Sequence, residues 1–92
     1  MTATTRRTLR IVNEKGLHAR ASARLVEVVE DHDARATVSK DGLEASGDSI
    51  MGLLMLAASK GTSIEVETSG PEAEKLADAI EALVADRFGE DF

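Results

Sequence analysis

Four short segments of the chain alternate apolar with polar residues, which is the pattern of β-strands that bury one face. In the first segment Leu9 and Ile11 share one face, and in the last Ile64 and Val66 do so. The sequence between the second and third segments, Lys-Asp-Gly at 40–42, favours a tight hairpin turn. The sequence therefore predicts strands over residues 8–12, 35–39, 43–45 and 63–68.

Three other segments repeat apolar residues at every third or fourth position, which predicts helices that pack through one stripe. They span residues 19–30, 50–58 and 71–88. Ser69, followed three positions later by Glu72, matches a capping box, and Pro71 suits the first turn of a helix. We therefore expect the last helix to begin at Pro71.

The order of these elements predicts an α+β fold, because strands that are polar on one face need helices on the other. The expected architecture is an open-faced β-sandwich in the order β-α-β-β-α-β-α, in which a four-stranded, mainly antiparallel sheet carries three helices on one face. With 92 residues, of which 42% are apolar, the chain suffices for one domain over residues 1–92. We expect residues 1–7 to be flexible.

The middle helix is apolar around nearly its whole circumference. Ile50, Leu53 and Leu54 lie on one side and are expected in the core, whereas Met51 and Met55 lie off that stripe. Exposed methionines are adaptable contact residues. The two methionines are therefore candidates for a contact surface.

Composition narrows the classes of function. The net charge of −6 and the absence of Trp and Tyr argue against nucleic-acid binding, which needs basic patches and stacking platforms. The absence of Cys excludes disulfides and thiolate chemistry. Because no apolar run is long enough for a signal peptide or a membrane span, we expect a cytoplasmic protein that does not insert into a membrane.

Positive charge is concentrated at the beginning of the chain. Residues 1–24 contain six basic side chains and a single acidic one, Glu14. Two interpretations remain open: an ordinary solvated surface, or a site for an anionic group or an acidic partner.

The chain has two histidines in different settings. His32 lies among Glu30, Asp31 and Asp33 near the predicted end of the first helix, where we expect a structural or solvated role. Two histidines without further ligands nearby do not predict a metal site.

His18 directly precedes the first helix, where backbone amides lack intrahelical acceptors. The amides of Ala19, Arg20 and Ala21 are the available donors, and the Arg20 guanidinium could grip phosphate oxygens. The local pattern leaves two interpretations open: a histidine that only caps the helix, or a phosphate site.

Two sequence motifs favour the second interpretation, a phosphate site. Residues 16–20, Gly-Leu-His-Ala-Arg, together with residues 49–54, Ser-Ile-Met-Gly-Leu-Leu, resemble the HPr family of histidine phosphocarriers of the bacterial phosphotransferase system. The resemblance extends from about Leu9 to Leu83, and the order of elements in that family agrees with the predicted order.

The resemblance implies that His18 accepts a phosphoryl group on Nδ1 from phosphorylated Enzyme I and donates it to an Enzyme IIA domain, with Arg20 as the oxyanion partner. A helix N-terminus with an arginine beside it can stabilise the charge of a phosphoryl group in transfer. The implied protein is a carrier and not an enzyme, needs no cofactor or metal, and is expected to be a monomer.

The resemblance also implies a docking surface on the second helix. Its candidate residues are Met51, Leu54 and Met55, with Arg20 and Arg24 as basic contacts for acidic partner surfaces.

Ser49 corresponds to the serine that HPr kinase/phosphorylase modifies in some bacteria, although a serine there can equally be a helix cap. Asp48 stands where many members have Lys, which puts kinase recognition in doubt. Ala21 stands where most members have Pro, and it restores one amide donor beside the phosphate site.

Other functions remain open at this stage. The same fold could be a non-catalytic regulatory binding module in which His18 is only a cap. Among phosphocarriers, the sequence does not separate the sugar-transport branch from the nitrogen-related branch. A small phosphatase is disfavoured, because no general base for water is evident.

Overall fold

The elements follow one another in the predicted order. The computed structural model describes residues 3–92. The strands are β1 (Ala3–Arg10), β2 (Arg35–Lys40), β3 (Leu43–Ser46) and β4 (Ser63–Gly70). The helices are α1 (Ala19–Glu30), α2 (Ile50–Met55) and α3 (Ala73–Ala85), and a short turn, Arg87–Gly89, follows α3.

The four strands form one sheet in the order β1-β4-β2-β3, and every neighbouring pair is antiparallel. Val38 of β2 lies opposite Val66 of β4 on one side and Ala45 of β3 on the other. These three side chains are buried beneath the helices, whereas Glu65, one position from Val66, is exposed. The predicted open-faced β-sandwich is thereby confirmed.

The core joins the inner face of the sheet to the apolar stripes of all three helices. Leu25 of α1, Leu53 of α2 and Ile80 of α3 are completely buried. Thr68 is also completely buried, and its hydroxyl donates to the backbone oxygen of Ala73 at 2.7 Å. This bond ties the end of β4 to the start of α3.

The expected flexibility of residues 1–7 is wrong for residues 3–7, and Met1 and Thr2 lie outside the described residues. Residues 3–7 form the first part of β1, since β4 continues to Gly70 and offers them partners along its length. Ala3 lies opposite Gly70, and Arg6 donates to Glu67 across the pair at 2.8 Å. The regular strand ends at Arg10, two residues before the predicted end.

The expected capping box at Ser69 is wrong. Ser69 belongs to β4, and α3 begins at Ala73, with Glu72 as its N-cap residue and no side-chain capping bond. Glu72 accepts a hydrogen bond from the backbone amide of Asp33 at 2.8 Å, so its carboxylate links two loops instead. The helix also ends earlier than predicted, at Ala85.

Helix α2 is shorter than predicted, and its early end positions the loop before α1. Ala57 has a φ of 51°, which turns the chain out of the helix. The amide of Leu17 then donates to the oxygen of Ala58 at 2.8 Å. Gly16 has a φ of 68°, and a Cβ there would lie 2.4 Å from the Ala58 oxygen. Only glycine permits this close approach.

Over residues 3–92, no helix has the length and apolar character needed to cross a membrane.

Candidate functional site

His18 is the N-cap residue of α1, but its imidazole does not cap the helix. Its backbone is extended, with φ −79° and ψ −175°, and its side chain makes no capping hydrogen bond. The side chain is 27% exposed. The ring is therefore partly accessible from solvent and is available for contacts other than capping.

The first turn of α1 presents unpaired amides beside this ring. The first helical hydrogen bond runs from the amide of Ser22 to the oxygen of His18, at 2.8 Å. Within residues 3–92, the amides of Ala19, Arg20 and Ala21 therefore have no helical acceptor. Ala19 and Arg20 are exposed, whereas Ala21 is completely buried. This end of the helix favours an anion.

Glu90 contacts the imidazole from the far end of the chain. Its Oε2 is hydrogen-bonded to Nε2 of His18, and its Oε1 accepts from Nδ2 of Asn13 at 2.9 Å. The same Asn13 nitrogen donates to the oxygen of Gly16 at 2.8 Å. Asn13 is completely buried, and the Glu90 side chain is only 14% exposed. The histidine thus belongs to a hydrogen-bonded chain that includes the loop before α1.

The environment of Glu90 stabilises its ionised form. Desolvation raises the pKa of Glu90, but the hydrogen bonds from Asn13 and His18, the charge of the His18 ring when it is protonated and the charge of Lys15 together lower it by more. The net result is a pKa below the ordinary value of 4.5. At neutral pH Glu90 therefore faces His18 as a carboxylate.

Residues 88–92, which we call the C-terminal segment, are fixed at several points. The Phe88 side chain is completely buried. The Arg24 guanidinium donates to the backbone oxygen of Phe88, and the amide of Glu14 donates to the oxygen of Phe92 at 3.0 Å. Glu90 lies between these points, so its position beside His18 is determined by the fold.

Arg24, which the resemblance implies as a basic contact for partners, also has a role within the chain. Its guanidinium donates to the Phe88 oxygen. The Nη1 atom also lies 2.4 Å from the position that a Cβ on Gly89 would occupy. Arg24 thus fastens the C-terminal segment to α1.

Arg6 and Arg7, two of the basic residues of the first 24 positions, pair with carboxylates of the sheet and of α3. Arg6 lies on the outer face of the sheet and pairs with Glu67 at 2.8 Å. Arg7 pairs with Asp78 at 2.7 Å and with Glu81 at 2.8 Å, both on α3. Arg6 and Arg7 are therefore occupied by carboxylates within the chain, and the interpretation of the basic region as a site for an anionic group or an acidic partner rests on its other basic residues.

Two basic side chains do lie near His18. Arg20 and Lys15 line a shallow groove together with Glu90. Arg20 is exposed and forms no ion pair or hydrogen bond in the part of the chain that the structure describes. Its guanidinium is therefore available to an incoming anion.

A second groove joins the histidine to α2. It is lined by His18, Lys15 and Leu54, among others. Met51 and Met55 are 70% and 73% exposed, whereas Leu53 is completely buried. These three residues lie where the sequence predicted.

Ile50 corrects the expectation for the core side of α2, because it is 40% exposed. Leu54 is half-buried and lines the groove beside His18. The apolar stripe of α2 is thus narrower than the sequence suggested, since the helix spans only Ile50–Met55 and Leu53 is its buried residue.

Ser49 caps α2. Its hydroxyl oxygen accepts from the amide of Gly52 at 3.0 Å. Asp48, the residue before it, accepts from the hydroxyl of Ser46 at 2.6 Å. Ser49 therefore has a capping role in the structure, and its neighbour in the sequence, Asp48, carries a carboxylate.

His32 has the structural role that the sequence predicted. Its Nδ1 is hydrogen-bonded to the backbone oxygen of Val28 at 2.7 Å, near the end of α1. Among residues 3–92 no group of three or more metal-binding side chains occurs.

Sequence reasoning missed Asn13 and Glu90. Glu90 is 72 positions from His18, and no local pattern connects the two. The one available signal was Phe88, an isolated large apolar residue after the apolar stripe of α3, which is buried where the chain folds back.

The geometry suits the transfer of a small anionic group between proteins. It combines a partly exposed imidazole, unpaired amides, a free guanidinium and an adjacent apolar surface on α2. The grooves beside His18 are open and shallow, so a donor protein can bring its reactive group to the ring directly.

Comparisons with known proteins show which family the chain is similar to. The family model described as "PTS HPr component phosphorylation site" matches residues 5–86. The phosphocarrier protein HPr of Cupriavidus necator is 44% identical over 80 residues, which cover 87% of this chain and 90% of that protein. The phosphocarrier protein NPr of Escherichia coli strain K12 is 40% identical over 89 residues, which cover 96% and 99%.

The fold agrees equally well with a solved structure. The crystal structure of HPr from Thermoanaerobacter tengcongensis superimposes with a TM-score of 0.90 at 31% sequence identity. The match covers 96% of this chain and 99% of that one.

Proposed function

Because this chain belongs to the HPr family of phosphocarriers of the phosphotransferase system, we propose that His18 accepts a phosphoryl group from phosphorylated Enzyme I and donates it to an Enzyme IIA domain. Like its family, the protein is a carrier and not a catalyst. The observation that carries the proposal is a partly exposed histidine at a helix N-terminus, with unpaired amides and the free Arg20 beside it.

The transfer needs a nucleophile in line with the leaving group. The lone pair of Nδ1 on His18 forms the bond to phosphorus, and the bond from phosphorus to Enzyme I breaks with its electron pair leaving on Enzyme I. The exposed amides of Ala19 and Arg20 and the Arg20 guanidinium would stabilise the equatorial oxygens, whereas the amide of the buried Ala21 would first have to become accessible. The second transfer repeats these events in reverse, with Enzyme IIA as acceptor.

Partner proteins would dock on α2 and the groove that joins it to His18. Met51 and Met55 supply exposed, adaptable apolar surface, and Leu54 connects that surface to the ring. Arg20 and Lys15 add positive charge at the edge of the contact. A monomer in the cytoplasm suits a carrier that presents the same face to each partner in turn.

Phosphorylation of Ser49 by an HPr kinase/phosphorylase is a second, regulatory proposal. A phosphate there would replace the hydroxyl that caps α2 and would place negative charge next to the docking surface. The carboxylate of Asp48, the preceding residue, disfavours a phosphate on Ser49, because both groups are negatively charged. Incubation with such a kinase and ATP, with Ser49→Ala as control, tests this proposal by intact mass.

Relatives of both HPr and NPr type match the chain, so the branch of the system needs its own test. Transfer from the phosphorylated chain to a sugar-type and to a nitrogen-type Enzyme IIA, measured side by side, would assign it. Faster transfer to one type identifies the sugar-transport or the nitrogen-related branch.

The central experiment is intact-mass and phosphohistidine analysis after incubation with phosphoenolpyruvate and Enzyme I. We expect one acid-labile phosphate on the wild type and on His32→Ala, and none on His18→Ala. A wild type that stays unlabelled with its own Enzyme I would overturn the proposal. It would favour the alternative, a non-catalytic regulatory binding module of the same fold.

A further inference from the structure

We propose that Glu90 is a positioning residue for phosphoryl transfer, which holds the proton of the His18 ring on Nε2 and so leaves the lone pair on Nδ1. The inference rests on the proposed function, because it concerns the nucleophilic atom of that same site. Nε2 of His18 is hydrogen-bonded to Oε2 of Glu90.

The direction of this hydrogen bond follows from the chemistry of the two groups. An ionised carboxylate can only accept hydrogen bonds, so the imidazole nitrogen that faces it must carry the proton. A neutral imidazole has one protonated nitrogen, and the other keeps its lone pair. Contact of Glu90 with Nε2 therefore selects the neutral form in which Nδ1 is the nucleophile.

Asn13 holds the carboxylate in place. Its Nδ2 donates both to Glu90 and to the oxygen of Gly16, at 2.9 and 2.8 Å. Both neighbours of that nitrogen are acceptors, which fixes the orientation of the amide group. Within residues 3–92, Oδ1 of Asn13 is buried with no hydrogen-bond partner. The fold thus leaves one polar atom unsatisfied in an arrangement that fixes Glu90.

The backbone around Glu90 is held as well. The buried Phe88 ring and the bond from Arg24 to the Phe88 oxygen fix the chain before it. The bond from Glu14 to the oxygen of Phe92 fixes the chain after it. Helix α1 and the loop before it therefore hold the C-terminal segment in place. That segment carries Glu90, which in turn fixes the orientation of the His18 ring.

The phosphoryl transfer balances with the proton staying on Nε2. When the Nδ1 lone pair forms the bond to phosphorus, the ring gains one unit of positive charge and no proton needs to leave. The Glu90 carboxylate faces the ring on the opposite nitrogen and stabilises that charge. A ring that keeps its Nε2 proton is also a good leaving group in the second transfer, because it departs as neutral imidazole.

The first test reads the ring directly and requires no partner protein. Nitrogen-15 NMR of the histidine ring distinguishes protonated from lone-pair nitrogens in the full-length chain. In the wild type we expect neutral His18 to carry its proton on Nε2. In Glu90→Ala we expect a mixture of the two forms, and Asp91→Asn, which removes a neighbouring exposed carboxylate, should match the wild type.

The second test measures the rate of phosphoryl acceptance from Enzyme I. Loss of a hydrogen bond to a charged group corresponds to a decrease of about 10-fold to 100-fold, so we expect this for Glu90→Ala. Glu90→Gln keeps the size of the side chain but not its charge. We expect its rate of phosphoryl acceptance to lie between the rates of the wild type and of Glu90→Ala. Backbone amide spectra confirm that each variant is folded.

The two tests separate the inference from the function on which it rests. A wild type that accepts phosphate at the same rate as Glu90→Ala, or a neutral His18 with its proton on Nδ1, overturns the inference alone. A wild type that accepts no phosphate overturns the proposed function, and the role of Glu90 in transfer with it.

Discussion

The Glu90 carboxylate is a single residue whose ionisation is coupled to folding. Its pKa lies below 4.5 in the folded protein, because hydrogen bonds from Asn13 and His18 outweigh the desolvation that raises it. A group with a lowered folded pKa stabilises the protein above its unfolded pKa. That contribution is lost as the pH falls through the folded pKa.

The Glu90→Gln variant tests this coupling. We expect it to be less stable than the wild type by about 1–2 kcal/mol at pH 7, where the charged hydrogen bonds are intact. The difference should shrink as the pH falls below 4.5. Urea unfolding at a series of pH values measures it, and a difference that stays constant with pH would contradict the prediction.

Substitution of two glycines by alanine distinguishes the effect of backbone strain on the free energy of unfolding from the effect of a steric clash. Gly16 and Gly42 both have positive φ, 68° and 85°, but a Cβ on Gly42 would meet nothing within 4 Å. We expect Gly42→Ala to lower the free energy of unfolding by about 1–2 kcal/mol. Gly16→Ala should cost about 3 kcal/mol or more, since it also clashes with Ala58. Urea unfolding measures both variants. An equal loss of stability in the two would show that the loop before α1 can move away from Ala58 without a cost in free energy.

At the residue scale, sequence could predict only the local part of the site. His18 and Arg20 lie in one short motif at a predicted helix start, so their proximity follows from helix geometry. Asn13 and Glu90 come together only because α1, β1 and the C-terminal segment pack in three dimensions. No spacing rule connects positions that far apart.

Helix α2 divides its side chains between the core and a surface, and this division can be tested as a unit. Leu53 is completely buried, whereas Met51 and Met55 are among the most exposed apolar residues described. We expect Leu53→Ala to cost about 2–5 kcal/mol. The double variant Met51→Ala, Met55→Ala should change stability by less than about 0.5 kcal/mol.

The same double variant should weaken docking. We expect the KM of Enzyme I for the chain to rise, while the maximal rate of phosphoryl acceptance stays close to that of the wild type. The control is Leu43→Ala, which removes a side chain that is 56% exposed on β3, outside α2. An equal effect of both variants would show that α2 has no special role in docking.

At the element scale, periodicity predicted every helix and strand but not all of their ends. The first strand is longer than its apolar alternation, because pairing with β4 uses backbone groups and not side chains. The start of α3 differs because Glu72 bonds to the amide of Asp33 in a distant loop. Such contacts follow from tertiary structure, which a local pattern does not contain.

The charge of the whole molecule is −6, yet the surface at His18 carries free positive groups. Lys15→Gln and Arg6→Gln remove the same charge from two places, the groove near His18 and the outer face of the sheet. We expect Lys15→Gln to slow association with Enzyme I and to weaken its salt dependence, because Lys15 lines the groove beside His18 through which we propose that the partner approaches. Arg6→Gln should do neither. Stopped-flow association at about 50 and 500 mM salt measures both, and identical salt dependence in the two variants would contradict the prediction.

The order of strands has a consequence for how the molecule assembles during synthesis. Among the four strands of residues 3–92, β1 is synthesised first and pairs only with β4, which is synthesised last, so Leu9 cannot pair with Ile64 until then. Topologies with such distant pairings fold slowly for their size, since loop closure precedes any gain in contact energy. Glu90 follows β4 in the chain, so its bond to His18 also depends on a late segment. A partly synthesised chain therefore contains His18 before the contact with Glu90 can form.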